Sequence, residues 1–442
     1  MACNITKLPL FRSISSRSFA SAANPKPIGG VCDYEVENST VNGVLVTSAE
    51  NNSPITRVSI VYRAGSRQES SDNQGVSHVL RLCAGLTTKS ASQFMITRNI
   101  QQVGASLHCT LDRETISYTL EGTRKAVEQV LPFLSTVATE HTFRPWEVAD
   151  IVGRLRLELA TRPPQFRTVD LLHKAAYRTG LGNSLFIAKY NIGKIGPETL
   201  QHFVNCNLTA DKATVVGLGV DHKELTYIVE KIKFPELAGQ PINPSPYKGG
   251  EIRCDKGGDL AYVAIAGEGA GHNNMKEAAA CAVLQKIFGT GSSVPYALDH
   301  GMLRSSIKVT DSFAISGLNA NYADTGLVGA MFVAPSNVAG QITENVVDIL
   351  KNGKVTDEWV SKGKNQLKAA VLLASENGKS VVRKLGQTGA LTGSGISPNQ
   401  YINLVESVST QDVNNVLQKL GRNLSISSFG NLTCVPYLAD LK

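Results

Sequence analysis

Apolar and polar positions alternate or cluster along the chain in two successive sets. In the first half, residues 43–47 (GVLVT) and 56–63 (TRVSIVYR) are rich in β-branched residues and predict strands. Residues 76–86 and 94–103 carry helical spacing, and 105–111 and 114–121 again read as strands, with Asp112-Arg113 as a tight connection. Residues 124–139 and 145–160 are amphipathic helices, and Pro145 suits a first helical turn because its missing N–H is not needed there. A strand at 212–219 and a helix at 222–233 complete this half.

Four prolines and three glycines then fall within residues 234–250, which marks a linker. Beyond it the pattern returns: a strand at 260–266, a helix at 275–287, strands at 305–309 and 313–320, and helices at 337–351 and 357–372. A final strand spans 425–430. Helix 145–160 is answered by 357–372 at an offset of 212 residues (Leu155 against Leu367), and strand 214–219 by 425–430 at 211. Two segments at nearly one offset predict a duplicated α+β unit, with domains at 35–233 and 251–442.

Composition narrows the function classes. Charged residues make up 18% of the 442, against roughly 25% in an average domain, a shortfall that suggests surface covered by partner subunits. Net charge is +7, with no Lys/Arg run long enough for a nucleic-acid patch. No stretch reaches the ~18 apolar residues of a membrane span. The eight cysteines form no CxxC pair and read as scattered, reduced core thiols.

The first residues are a different matter. They carry Lys7, Arg12 and Arg17, many Ser and Ala, and no acid before Asp33, the composition of a mitochondrial transit segment. Arg17-Ser18-Phe19-Ala20 resembles a matrix processing site, so residues 1–19 are expected to be removed after Phe19, leaving Ala20 first.

Three motif-like stretches are set aside. Residues 267–272 (GEGAGH) nearly spell GxGxxG, but His272 stands at the third glycine, so the stretch reads as a strand-end turn. Gly378-Lys379-Ser380 lacks the first glycine of a phosphate loop and reads as a surface turn. His108 and Cys109 are adjacent on a strand and face opposite ways, so they cannot form a thiolate–imidazolium pair.

One constellation carries more. Residues 75–82 (GVSHVLRL) follow a strand and open a helix, and they resemble the HxxEH motif of the pitrilysin and mitochondrial processing peptidase superfamily. In that family two histidines one helical turn apart bind zinc, the glutamate between them is the general base, and a glutamate on a later helix completes the site. His78 keeps the first ligand, Arg81 replaces the base and Leu82 replaces the second ligand. Glu158, 76 residues beyond Leu82, fits the distal ligand. A guanidinium stays protonated at neutral pH and cannot deprotonate a water. The expectation is therefore an inactive site: no catalytic residue, no metal, and His78 and Glu158 as vestiges, with Arg81 approaching Glu158 to offset its charge.

Within the superfamily, residues 288–292 and 318–327 resemble the core subunits of the mitochondrial cytochrome bc1 complex (ubiquinol–cytochrome c reductase), and the resemblance spans about 35–440. It implies two α+β domains of one fold, each a mixed or antiparallel sheet backed by helices. It implies a non-catalytic scaffold on the matrix side of the mitochondrial inner membrane, without a membrane span or cofactor of its own. The implied partners are the first core subunit, cytochrome b, cytochrome c1 and the iron–sulfur protein. The alternative is the non-catalytic alpha subunit of the processing peptidase, whose hallmark is a dense glycine-rich loop. Here only Gly289, Gly291 and Gly301 stand in the corresponding region.

Overall fold

The computed structural model describes residues 34–235, 239–291, 301–309 and 311–441. The proposed cleavage residues Arg17, Phe19 and Ala20 lie outside them.

The first half builds a six-stranded sheet in the order β1-β2-β6-β3-β5-β4. Its strands are β1 (Val36–Val41), β2 (Val44–Ala49), β3 (Ile55–Tyr62), β4 (Ser106–Leu111), β5 (Ile116–Thr123) and β6 (Ala213–Leu218). All neighbours are antiparallel except β2 and β6. Seven of the eight β3 residues are buried, because the strand is central and covered on both faces. The second half builds a five-stranded sheet in the order β7-β11-β8-β10-β9. These strands are β7 (Gly250–Asp255), β8 (Leu260–Ala270), β9 (Ala314–Asn321), β10 (Thr325–Pro335) and β11 (Leu424–Gly430). Here too one neighbouring pair, β7 and β11, is parallel. Without β1, the two strand orders correspond member by member, so the repeat read from two offsets is a repeat of topology.

The helices follow the same grammar. The first half carries α1 (Val76–Leu82), α2 (Gln93–Gln102), α3 (Arg124–Thr139), α4 (Pro145–Thr161), α5 (Pro164–Tyr177), α6 (Pro197–Asn207) and α7 (His222–Lys231). The second carries α8 (Met275–Phe288), α9 (Gly301–Ser306), α10 (Ser336–Asn352), α11 (Asp357–Glu376), α12 (Gly378–Thr392), α13 (Pro398–Glu406) and α14 (Thr410–Arg422). Each half has its own apolar core.

Two helices cross over. α5, from the first half, packs on β7, β8 and β11, and α12, from the second, packs on β2, β3 and β6. Leu172, Ala176 and Tyr177 of α5 form a core with Ala264, Ala266 and Leu327. Val381, Val382 and Leu385 of α12 do the same with Val216 and Leu218. Gly386 lets α12 press on the sheet: a Cβ there would stand 2.7 Å from Val61 Cγ2. Each half thus lends a helix to the other's sheet.

Four expectations need correction. Residues 305–309 are not a strand: Gly301–Ser306 is helical, and the Ser305 and Ser306 hydroxyls donate to the carbonyls of Gly301 and Met302 at 2.9 and 2.8 Å. Alternation over five residues is too short a signal when no sheet edge is present to pair with it. Gly267 and Gly269 lie inside β8, not at a turn; a Cβ at Gly267 would stand 2.5 Å from the Leu420 carbonyl, so glycine admits α14 there. Gly378-Lys379-Ser380 is the first turn of α12, capped by the Asn377 side chain accepting from the Lys379 N–H at 3.1 Å. Among the described cysteines only Cys83 and Cys281 are buried core thiols, and Cys434 is exposed.

Candidate functional site

The site begins with how α1 is set. Gly75 precedes it at φ 94, a backbone conformation that favours glycine. The Glu69 carboxylate accepts the N–H of Gly75 at 2.8 Å and of Ser77 at 3.0 Å, and also the Ser77 hydroxyl. Burial raises Glu69 to about 7 against these hydrogen bonds.

This places His78 inward, 1% exposed. Its ring meets Phe186 edge-on at 5.4 Å. The Ile187 N–H donates to Nδ1 at 3.2 Å. A backbone N–H can only donate, so Nδ1 is the bare nitrogen and Nε2 carries the proton. Nε2 then donates to Glu158 Oε2 at 3.0 Å. Burial lowers the His78 pKa and outweighs the hydrogen bond to Glu158, with the Arg81 charge adding to the lowering. The contact is therefore a hydrogen bond from a neutral imidazole, not an ion pair.

Glu158 comes from α4, two helical turns beyond Ile151, which with Val148 and Leu155 buries that helix's apolar face. Its Oε2 also accepts from the Arg81 guanidinium, and its Oε1 lies 3.6 Å from Arg154 Nε one turn back. Burial raises the Glu158 pKa, but the His78 hydrogen bond and the Arg81 charge outweigh it and hold the carboxylate below its ordinary range. Leu82, 4% exposed, packs into the core of the first half.

The structure thus brings His78, Arg81 and Glu158 together, with Leu82 one turn along the same helix. The second nitrogen of His78 is held by backbone, its proton is engaged, and the carboxylate is shared by two guanidinium groups. What the arrangement does chemically is neutralise one carboxylate and tie α1 to α4. Among the described residues, no group of three or more His, Cys, Asp or Glu side chains is arranged to hold a metal ion.

The glycines form a separate group at the end of α8. Gly289 has φ 120, Gly291 φ 78 and Gly301 φ 79. The Gly317 N–H donates to the Gly289 carbonyl at 2.7 Å. Gly289 and Gly301 abut, since a Cβ at Gly301 would stand 2.6 Å from Gly289 Cα.

Sequence reasoning missed Glu69, Phe186 and Ile187, which orient His78. None of them had a readable local signal: Glu69 stands seven residues before Val76, and the first turn of α1 holds no acid. It also missed a charged seam between the halves, where Arg67 contacts Glu114 and Asp324. Asp324 lies within the 318–327 stretch that was singled out for a different reason.

Comparison with known proteins agrees with this architecture. Residues 44–189 match the family model described as Insulinase (Peptidase family M16), and residues 194–367 match the one described as Peptidase M16 inactive domain. Cytochrome b-c1 complex subunit 2 of Mus musculus is 35% identical over 410 residues, covering 90% of each chain. The Homo sapiens protein of that name is 35% identical over 413 residues, again covering 90% of each. The probable mitochondrial-processing peptidase subunit alpha-1 of Arabidopsis thaliana is 25% identical over 409 residues, 89% of this chain and 81% of that one. A chain of Complex III2 from Candida albicans, solved with Inz-5 bound, superposes with a TM-score of 0.78 at 18% identity, covering 92% of this chain and 99% of that one, and so shares the fold. The chain belongs to peptidase family M16 and, within it, to the family of cytochrome b-c1 complex subunit 2.

Proposed function

We propose that this chain is a non-catalytic core subunit of ubiquinol–cytochrome c reductase, held on the matrix side of the mitochondrial inner membrane. Its work is to assemble and stabilise the complex, beside the first core subunit, cytochrome b, cytochrome c1 and the iron–sulfur protein. The relatives of 35% identity support the assembly. The observation that carries the non-catalytic part is the Arg81 guanidinium on Glu158, at the position where the peptidase motif has its base. A cation already neutralises the carboxylate, and Leu82 offers no ligand in place of the second histidine. The site is a relic of a zinc site turned into a structural tie. Residues 1–19 serve as the address and are removed after Phe19. Domain limits of 35–233 and 251–442 remain our division, with 234–250 between them and one helix exchanged each way.

Among the described residues, no helix is long and apolar enough to cross a membrane. Attachment to the membrane part then runs through partner subunits. The processing-peptidase alpha reading has relatives at 25–27% identity and is the weaker of the two.

Native gels of detergent-solubilised mitochondria test the reading. This chain is expected in one large assembly with cytochrome b and the iron–sulfur protein, starting at Ala20 by N-terminal sequencing. Its depletion lowers cytochrome b and the other core subunit together, while His78→Ala leaves quinol oxidation nearly intact. Migration as a small soluble heterodimer would overturn it.

A further inference from the structure

A cavity of about 660 Å3 opens at the seam of the halves, and none of the His78 cluster lines it. Its wall combines the turn between β1 and β2, the start of β6, linker residues 239–242 and the C-terminal end of α12. Arg63 and Lys212 line it too. They stand next to the terminal β3–β6 pair, Tyr62 and Ala213, and the Arg63 N–H donates to the Lys212 carbonyl at 2.9 Å. Opposite residues of an antiparallel pair have Cα atoms about 5 Å apart and side chains on one face, so two like charges there repel.

Lys212 is 9% exposed, and its Nζ is buried without a hydrogen-bond partner among the described residues. The same holds for Arg63 Nε. Arg57 and Arg67 also have a buried, unpartnered Nε, but their terminal nitrogens hold Glu121, Glu114 and Asp324. Arg63 enters no ion pair among the described residues. The carboxylate in the wall, Asp211, is exposed to water and accepts from the Thr209 hydroxyl. Burial lowers the Lys212 pKa; Asp211 opposes that, and Arg63 adds to it. Gly239 closes over the ammonium, since a Cβ there would stand 2.9 Å from Nζ. Lys212 therefore supplies charge from behind the wall, where the low dielectric preserves its field. Arg63, half-buried, supplies the contact. An unpaired buried charge is a cost, and an anion in the cavity offsets it.

Two adjacent cations suit one compact dianion better than two separated carboxylates. A phosphate monoester carries about −1.5 to −2 at pH 7, whereas a phosphodiester has a single ionisable oxygen. The α12 end of the cavity has the opposite character. Gly389 to Thr392 line it, and Gly393 ends the helix at φ 77. The last carbonyls of a helix lack helical partners and carry partial negative charge, so they repel a phosphate and accept from hydroxyls. The volume is that of a small-molecule site, about 300–1,000 Å3, and far exceeds a bare phosphate.

We propose that this cavity binds a phosphorylated polyol, a phosphate monoester whose phosphate sits at Arg63 near Lys212 and whose hydroxyls meet the last carbonyls of α12. With the first half, the linker and α12 around it, the bound molecule ties the halves together. The proposal goes beyond the assembly reading and stands apart from it.

Equilibrium dialysis of radiolabelled glycerol 3-phosphate against the purified assembly tests it. Saturable binding at one site per copy of this chain is expected. Inorganic phosphate, malate (a hydroxy-dicarboxylate) and glycerophosphoglycerol (the diester of a phospholipid headgroup) are expected to compete more weakly. Arg63→Gln and Lys212→Met are each expected to weaken binding about tenfold or more, the size of one hydrogen bond to a charged group. Lys212→Met is also expected to keep or raise the thermal midpoint without ligand, because it removes a buried charge that has no partner. Absence of saturable binding, unchanged affinity in either variant, or a lower midpoint in Lys212→Met would each overturn the proposal. So would equal competition by inorganic phosphate or malate, or a preference for the diester, which would assign the cavity to a lipid headgroup.

Discussion

Arg67 in the first half holds Asp324 in the second by two parallel hydrogen bonds, Nη1 to Oδ1 at 2.8 Å and Nη2 to Oδ2 at 2.7 Å. The same guanidinium reaches Glu114 and the Asn243 carbonyl, the latter at 2.8 Å. Burial works against its charge, and Asp324 and Glu114 outweigh burial and raise its pKa. Glu114 in turn accepts the Ala323 N–H at 2.9 Å. The two halves are therefore joined by a planar, bidentate contact that fixes their orientation.

Replacing Arg67 strands two carboxylates. Its side chain is 3% exposed and that of Glu114 5%. Breaking a buried pair from one side costs about 3–5 kcal/mol. Arg67→Met is expected to lower stability by about that amount, read as the urea midpoint of the purified chain. A change under about 1 kcal/mol would mean the seam contributes little.

His173 on α5 makes a second link across the halves. Its Nδ1–H donates to the Val169 carbonyl at 2.7 Å, so its Nε2 accepts from the Tyr322 hydroxyl at 2.6 Å. Burial and then the Arg113 charge lower its pKa to about 3. The unfolded chain takes up the proton near pH 6.5 and the folded one does not, so this group's share of stability is present above pH 6.5 and is lost as pH falls toward 3. Between about pH 6 and 4.5 the loss approaches about 1.4 kcal/mol per pH unit. His173→Gln is expected to flatten the slope by that amount, whatever its offset; equal slopes by chemical denaturation at stepped pH would count against it.

The His78 cluster can be asked to revert. Arg81→Glu with Leu82→His rebuilds the HxxEH spacing opposite Glu158 and removes the guanidinium. Elemental analysis after dialysis is expected to show about one zinc per chain in this double variant and none held tightly by the parent, because a zinc site needs about three protein ligands. Stoichiometric zinc in the parent, lost on His78→Ala, would contradict the structural-tie reading.

Gly386 tests the exchanged helix. With a Cβ already 2.7 Å from Val61 Cγ2, Gly386→Leu cannot fit unless α12 lifts from the sheet. Overpacking of this kind costs about 1–3 kcal/mol. The thermal midpoint should fall accordingly, while a similar change at Gly393, where an added Cβ meets nothing within 4 Å, isolates the strain of its φ of 77.

Most elements were legible because their signals sit within a few residues of one another. The run 56–63 reads as a buried strand and 124–139 as a helix from local periodicity alone, and the structure has β3 at Ile55–Tyr62 and α3 at Arg124–Thr139. The offsets of 212 and 211 exposed the duplication because side-chain period survives where identity does not. His78, Arg81, Leu82 and Glu158 could be picked out together because a helical turn fixes the first three and a resemblance supplied the fourth. The strand expected at 305–309 failed for the converse reason: a strand exists only if an edge is there to pair with it, and no local pattern reports that edge.

The tertiary structure decided everything that depends on which surfaces meet. By itself the sequence determined the runs just named, but it left 164–177 unassigned and read 378–380 as a surface turn, although both segments fold as helices with an apolar face. Only the packed chain decided that each would bury that face on the other half's sheet. Gly386 carries no local signal, and its role shows only when Val61 is seen against it. The bare Nδ1 of His78 depends on the Ile187 N–H, 109 residues away, and Arg67 meets Asp324 across 257. Partners so distant in the chain are chosen by the closure of the whole core, which leaves buried charges no water and so compels them to find each other.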